Sequence, residues 1–570
     1  MKKIALYMLG TMVAFSACTD EVLNGDPYTE FTKDTYFTSE TNVEMFANYF
    51  YTEFSGYGNS GTYGNFYFNF LNDDQGTTGV QTWTYTAVPA TISLWSNAYT
   101  EIRRANTLIE ALPNIDDMTS ASKANWEGIA RLYRAWQHYK LVRAFGDCYW
   151  VDKTLDSSDE DILYGARDDR SVVMGKVLED LNYAVANISA NGSSRTAINN
   201  AVAQAMKAEV CLYEGGYSKY TLNDTSRANT YYTEAKNACQ AIMSNSNYEL
   251  NADYQANFNS LDLSGNKEMI LYKKYIYGTL AHSVIDYTCG STQVHGMSKD
   301  AFDSYLFIDG KPKATTSRNT SDVGKIVNID DNTGLGAADR IDISDVLAER
   351  DPRLSAQVDP ILQYPGNGYA RYNAKSQSTS STGYGVYLFD TDQITATNRQ
   401  SISGGDTDAP IFWLAQIYLN YAEACVELGS ISQAELDATI NKLRARVGMP
   451  AMSLDPDADP ANNMGVSNLI WEVRRERRVE LMYCQDDRYQ SLVRWNQLQL
   501  LDTTKYPDQV RGAHVGAFAN NAGCTADVDS EGYINCSSGN TRVWDSKYAL
   551  YPIPSGQLSL NPQMGQNPGW

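Results

Sequence analysis

The sequence predicts a mainly α fold, an array of tetratricopeptide-like helix pairs interrupted by an insert of loops and short strands. Apolar residues recur at helical spacing in paired segments, short polar turns join the members of each pair, and a long stretch near the middle loses the pattern. Each pair leaves an apolar face that the next pair can cover, so such arrays grow by stacking.

The first element is a secretory signal. Met1, Lys2 and Lys3 precede an apolar run from Ile4 to Phe15, followed by Ser16, Ala17 and Cys18. Two positive charges, an apolar core too short to span a bilayer and small residues before the cut mark residues 1–17 for removal. A cysteine directly after Ser16-Ala17 resembles the lipobox of bacterial lipoproteins, which implies that Cys18 carries lipid. Each buried methylene contributes roughly 0.8 kcal/mol, and two or more chains suffice for a stable anchor. The acidic start Thr19-Asp20-Glu21 resembles the signal that directs such lipoproteins to the cell exterior.

Residues 18–570 read as one domain. Helical repeats are expected over about 91–250, an insert carrying the binding loops over about 251–408, further repeats over about 409–505 and an irregular tail over about 506–570. Thr91 to Leu112 aligns Leu94, Trp95, Ala98, Ile102, Ala105 and Leu108 on one stripe. Ile129, Leu132, Tyr133, Trp136, Tyr139 and Val142 form the next stripe, and Gly146 stops it. Helices follow at Ser171 to Ile188, Asn199 to Glu214 and Thr225 to Ser244. The insert is rich in Gly, Ser, Thr, Asn and Asp; a structureless loop of that size does not fit a compact domain, so short strands, turns and helices packed on the repeats are expected. Helices resume at Phe412 to Leu428, Ser432 to Arg446, Val466 to Cys484 and Asp487 to Leu500.

Composition excludes several functions. The formal charge of −22, which becomes −24 once Lys2 and Lys3 leave, repels nucleic acid and anionic lipid. The 40 Tyr and 10 Trp supply flat rings with an apolar face and a polar edge, suited to packing helices and to the faces and hydroxyl rims of sugars. Cys148, Cys211, Cys239, Cys425 and Cys484 fall in apolar stretches and read as buried hydrophobes, whereas Cys524 and Cys536 share a polar loop where a disulfide is open to them. Without a CxxC or a His-Cys cluster, and with 4 His in all, no zinc site and no cofactor is expected.

Four groups of residues carry a resemblance. They are Arg131-Leu132-Tyr133-Arg134-Ala135-Trp136 with Leu141-Val142-Arg143-Ala144-Phe145-Gly146-Asp147; Trp413 to Ala424 with Ile440 to Pro450; Glu476 to Leu481 with Asp487-Arg488-Tyr489 and Leu492 to Trp495; and Tyr551-Pro552-Ile553-Pro554, Asn561-Pro562 and Gln566 to Trp570. In their order and spacing they resemble the SusD/RagB family of outer-membrane nutrient-binding lipoproteins, departing only at the turn Cys484-Gln485-Asp486. The resemblance implies a right-handed superhelix of tetratricopeptide-like units that sits as a lid on a SusC-like TonB-dependent transporter. It also implies a lipid-anchored protein of the outer membrane that faces the cell exterior and presents an oligosaccharide or peptide to its partner. Glycan capture is the leading expectation; a peptide or glycoprotein-binding lid, or a gating adaptor without a ligand of its own, are the alternatives.

Glu423, Arg444, Arg477 and Glu480 lie on helices with apolar faces and are expected to form a buried ion-pair network. The doublets Asp73/Asp74, Asp330/Asp331 and Asp486/Asp487 raise a glycosidase reading, since such enzymes set two carboxylates across the scissile bond. Sequence neighbours in polar segments are ordinarily solvated, and no GxSxG, HExxH or Walker loop is present, so no catalytic residue is expected. Asp330-Asp331-Asn332-Thr333-Gly334 lacks the alternating oxygens and distal Glu of a calcium loop, and no metal site is assigned there. Ligand contact is expected from Asp73, Asp74, Trp83 and Tyr85 before the first repeat helix, joined by Tyr287, Tyr369 and Tyr372 of the insert.

Overall fold

The computed structural model describes residues 36–59, 64, 66, 71–190, 194–289, 295–330, 336–371, 377–484, 487–516 and 524–570. Cys18, Tyr372, the pair Gln485-Asp486 and residues 331–335 lie outside them.

The fold is mainly helical. A short helix α1 (Glu40–Ala47), capped by Ser39, precedes the repeats and had no clear apolar period to announce it. Five long helices follow: α2 (Ser93–Ala111), α3 (Ser120–Phe145), α4 (Arg170–Asn187), α5 (Asn200–Tyr220) and α6 (Thr225–Met243). Thr119, Asp169, Asn199 and Asp224 each accept a hydrogen bond from a backbone N–H of the first turn, which fixes where α3 to α6 begin. Gly146 closes α3 at φ +73°, a conformation that disfavours any side chain. Each helix packs on its successor, burying the stripes anticipated from spacing.

Within the insert, α7 (Lys299–Ser304) and α8 (Pro352–Gln357) both touch the later repeats. The strands are short and antiparallel throughout. β1 (Gln75–Gly76) pairs with β3 (Gly296–Met297), β2 (Met269–Lys273) with β6 (Ala409–Trp413), and β4 (Lys325–Ile329) with β5 (Ala338–Asp342). Near the end of the chain, β7 (Arg511–His514), β8 (Asp527–Val528) and β9 (Tyr533–Asn535) form a sheet of order β7-β9-β8. β2 and β6 are almost wholly buried, and β6 runs directly into the next repeat helix, so this ladder joins the insert to the array.

The later repeats are α9 (Leu414–Glu427), α10 (Gln433–Ala438), α11 (Ile440–Arg446), α12 (Asn468–Glu480) and α13 (Asp487–Arg494). The helix expected over Ser432 to Arg446 is two helices. Thr439 separates them at φ −129°, ψ −95°, and its hydroxyl donates back to the Glu435 carbonyl at 2.6 Å, taking the place of helical pairing. α6 and α12 both pack on α9, and α13 returns to pack on α5. No helix among the described residues is long and apolar enough to cross a membrane.

The five cysteines read as apolar are buried. The open disulfide between Cys524 and Cys536 is not made: both are free thiols, and the Cys536 Sγ instead donates to the Ser381 carbonyl at 3.0 Å.

Candidate functional site

The loop before β1, helix α7, residues 459–464, helix α12, the start of α13 and residues 500–508 surround a cleft of about 230 Å³. Backbone pairing sets its geometry. Gln75 lies opposite Met297 in the β1–β3 ladder, and Ser298 then donates its N–H to the Asp74 carbonyl at 2.9 Å and its hydroxyl to the Asp73 carbonyl at 2.5 Å. The same Ser298 caps α7, so one residue holds Asp73 and Asp74 beside Asp300.

Helix α12 supplies the opposing charge. Arg474 and Arg478 stand one turn apart, with Arg475 between them, and all three line the cleft. Arg478 meets Asp74 at 2.7 Å, Asp300 at 2.7 Å and Asp73 at 3.5 Å. Arg488 of α13 grips Asp73 with two parallel bonds of 2.7 and 2.6 Å, the fork geometry in which guanidinium and carboxylate bind best. Burial alone would raise the Asp73 carboxyl, but Arg478 and Arg488 outweigh it and hold the group well below the usual carboxylate range. Asp74 is pushed up, because burial is only partly offset by Arg478 and the Asp73 charge adds to it. Arg474 pairs with Glu427 at 3.1 Å, while Arg475 pairs with Asp459 and, at 3.2 Å, with Glu472. The floor is thus a set of mutually neutralised charges held rigidly.

Above that floor the lining changes. Trp471 and Tyr506 are half-buried and present ring surface to the cleft, and the Trp471 indole is fixed by donating to Asp459 at 3.2 Å. The side chains of Asp300, Asp303 and Asp508 are 30%, 28% and 42% exposed. Rings beside carboxylates on a preorganised floor suit a ligand with apolar faces and a rim of hydroxyl groups.

The residues expected to touch ligand do not form one site. Asp73 lines the cleft but is buried and paired, with Asp74 buried beside it. Trp83 is 6% exposed; its ring stacks on Tyr548 at 4.8 Å and its indole N–H donates to the Val543 carbonyl, so it is occupied in packing. Tyr85 lies half-buried with its ring edge on Tyr551 at 4.9 Å. Tyr287 sits half-buried in the helix Val284–Cys289, and Tyr369 is half-buried and paired through its backbone with Ser378. Sequence reasoning missed Trp471, Tyr506, Asp300 and Asp508. Their separation along the chain hides the cleft; the dense arginines of α12 were the available signal, and they read as packing charges. Among the described residues, no group of three or more His, Cys, Asp or Glu is placed to hold a metal.

Residues 239–570 match the family model described as the SusD family, and residues 40–212 match one described as starch-binding associating with outer membrane. The chain is 24% identical over 294 residues to a SusD-like protein of Bacteroides ovatus, a match covering 48% of this chain and 50% of that one. The chain thus spans about half the length of that curated relative. Among solved structures, it is similar at TM-score 0.69 and 18% identity to a SusD-like carbohydrate binding protein from Bacteroides fragilis, covering 93% of this chain and 100% of that one. It is similar at TM-score 0.56 and 20% identity to a laminarin binding SusD-like protein, covering 94% and 100%. At these identities the likeness is one of fold.

Proposed function

The chain belongs to the SusD family, and from that premise we propose that it is a cell-surface receptor that takes oligosaccharides at the α12 cleft and delivers them to a TonB-dependent outer-membrane transporter. One observation carries the reading: two half-buried rings and three partly exposed carboxylates share a cleft whose floor is locked by ion pairs. A sugar would lay a C–H face on Trp471 or Tyr506 and donate hydroxyl protons to Asp300, Asp303 or Asp508. Each such hydrogen bond nets about 0.5 to 1.5 kcal/mol, so several are needed, and a rigid floor spares the ordering entropy that a flexible loop would lose. Asp73 and Asp74 position the cleft rather than meet the ligand. Lipid at Cys18 would keep the receptor at the membrane while the transporter draws from it.

Titration of the protein with a panel of oligosaccharides and peptides tests the reading. Glycan binding that weakens tenfold or more in Trp471→Ala, with the melting temperature lowered by only a few degrees, supports it. Unchanged affinity in that variant would remove the cleft from the function, and binding of peptides alone would replace glycan by peptide. For the anchor, Cys18→Ala is expected to shift the protein from the membrane fraction to the medium.

A further inference from the structure

The cleft carries information about ligand charge, an inference that rests on the glycan reading above. Its guanidinium groups are all engaged. Arg478 is shared by Asp74 and Asp300, Arg488 is held by both oxygens of Asp73, and Arg474 and Arg475 are paired with Glu427, Asp459 and Glu472. These four side chains are at most 10% exposed, so little cationic surface faces the opening. The carboxylates toward the mouth differ. Asp300 uses one oxygen for Arg478, and among the described residues Asp508 pairs only with the i+3 Arg511 at 3.2 Å, a guanidinium that Asp529 at 2.8 Å and Glu531 at 3.2 Å also engage. Asp303 is held by Lys299 at 2.6 Å, Arg350 at 3.5 Å and Lys313 at 3.7 Å, and all three cations are also drawn to the buried Asp322, at 3.1, 3.4 and 3.1 Å. Of the side chains that line the cleft, the arginines are at most 10% exposed and Asp300, Asp303 and Asp508 are 28% to 42% exposed, so the exposed charge of the lining itself is negative, with Lys313, 38% exposed, standing beside Asp303.

We propose that the cleft selects saccharides by charge, binding units that bear a free amino group most tightly, uncharged units less tightly and uronate or sulfate-bearing units least. The asymmetry between buried guanidinium groups and open carboxylates produces this order directly. An anionic substituent entering beside Trp471 meets Asp300 and Asp508 before any unpaired cation, and it cannot recruit Arg478 or Arg488 without leaving a buried aspartate uncompensated. An ammonium group finds the spare oxygens of the same carboxylates and the faces of Trp471 and Tyr506. The protein's formal charge of −22 adds a repulsion in the same direction over longer range.

The test uses one gluco-oligosaccharide in three forms: unmodified, oxidised at C6 to uronates, and carrying a free amine at C2. Calorimetric titration of the whole protein at low and high salt should give affinities that fall by roughly three- to tenfold at each step from amine to neutral to uronate, with the steps compressed by salt. Asp508→Lys should narrow or invert the neutral-to-uronate ratio, and its melting temperature confirms that the variant is folded. Equal affinities across the series, or a preference for the uronate, overturn the charge selection and leave the glycan reading intact. Binding of none of the three would sink the glycan reading and this inference with it.

Discussion

Arg477 binds Asn420 at 2.7 Å, Asp487 at 2.5 Å and Glu423 at 3.6 Å, and Glu423 in turn accepts from Arg494 and from the Trp495 indole at 2.8 Å each. The expected network of Glu423, Arg444, Arg477 and Glu480 exists, but as two clusters. Arg444 pairs with Glu476 at 2.8 Å, and Arg353 bridges Glu476 at 2.6 Å to Glu480 at 2.9 Å. Charges on apolar helices announced that ion pairs would form; Arg353, which reaches in from the insert, had no local pattern to announce it. Replacing Arg477 by Met leaves Asp487 and part of Glu423 uncompensated in the interior, at about 3 to 5 kcal/mol. A calorimetric melt should show that loss, whereas lost ligand binding at unchanged stability would contradict the structural role. The pH dependence has a definite sign. Burial alone would raise the Glu423 carboxyl, but Arg494 and Arg477 outweigh it and hold it at about 2 against an ordinary 4.5. Its contribution to stability is complete above about pH 4.5 and is lost as pH falls toward 2. Buried acids pushed the other way, Asp74 and Glu268 among them, blur the wild-type curve, so the difference from Glu423→Gln is the measurement to make. That difference in melting temperature should be largest at pH 5 to 7 and shrink toward pH 3; a constant difference would refute the ion-pair account.

Helix α5 shows where the periodicity of a sequence misleads about an element. The helix expected over Asn199 to Glu214 continues through Gly215 and Gly216 to Tyr220. Packing explains it. A methyl group on Gly215 would lie 2.8 Å from the ring of Tyr232 on α6, and one on Gly216 would lie 3.1 Å from Arg494 on α13. The missing side chains let two neighbouring helices approach α5 at one level, and that level holds Arg494, whose guanidinium secures Glu423 on α9. Gly215→Ala sets two effects against each other. Alanine is the better helix former by about 1 kcal/mol, while overpacking a fully buried ring takes roughly 1 to 3 kcal/mol. Tyr232 is buried with 0% exposure and has nowhere to move, so the variant should be destabilised by about 1 kcal/mol in denaturant unfolding. A stabilised Gly215→Ala would show that the helices separate freely. The repeat helices themselves were legible from their apolar spacing, and α3 to α6 and α12 also open on a capping residue. The break at Thr439 was not, since it depends on one hydroxyl turning back to a carbonyl.

At the scale of the whole molecule, residues 551–570 close the array onto its first repeats. Tyr551 donates its N–H to the Ala144 carbonyl at 2.7 Å, and Asn567 donates to the Phe145 and Tyr551 carbonyls at 2.9 and 2.8 Å while accepting from Arg167 at 3.1 Å. The carbonyls at the end of α3, which no further helical turn can satisfy, are thus capped from about 420 residues away. Trp83 enters the same assembly by stacking on Tyr548, which is why a tryptophan that looked like a sugar platform serves as a clasp. Closure of this kind joins segments that no window of sequence holds together. It hid both the role of Trp83 and the cleft, whose walls come from residues as far apart as Asp73 and Asp508. Asn567→Ala isolates the closure. The residue is 5% exposed, and its loss removes the bond to the Tyr551 carbonyl, leaves the Phe145 carbonyl only Arg167 at 3.4 Å and takes one acceptor from Arg167, at about 1 to 3 kcal/mol for each group that water does not reach. The expected result is a melting temperature lowered by several degrees with glycan affinity unchanged wherever the variant remains folded, because the cleft takes no lining residue from this region. If affinity fell in the folded variant, the clasp and the cleft would be coupled, and the array would have to be treated as one mechanical unit from its first repeat to Trp570.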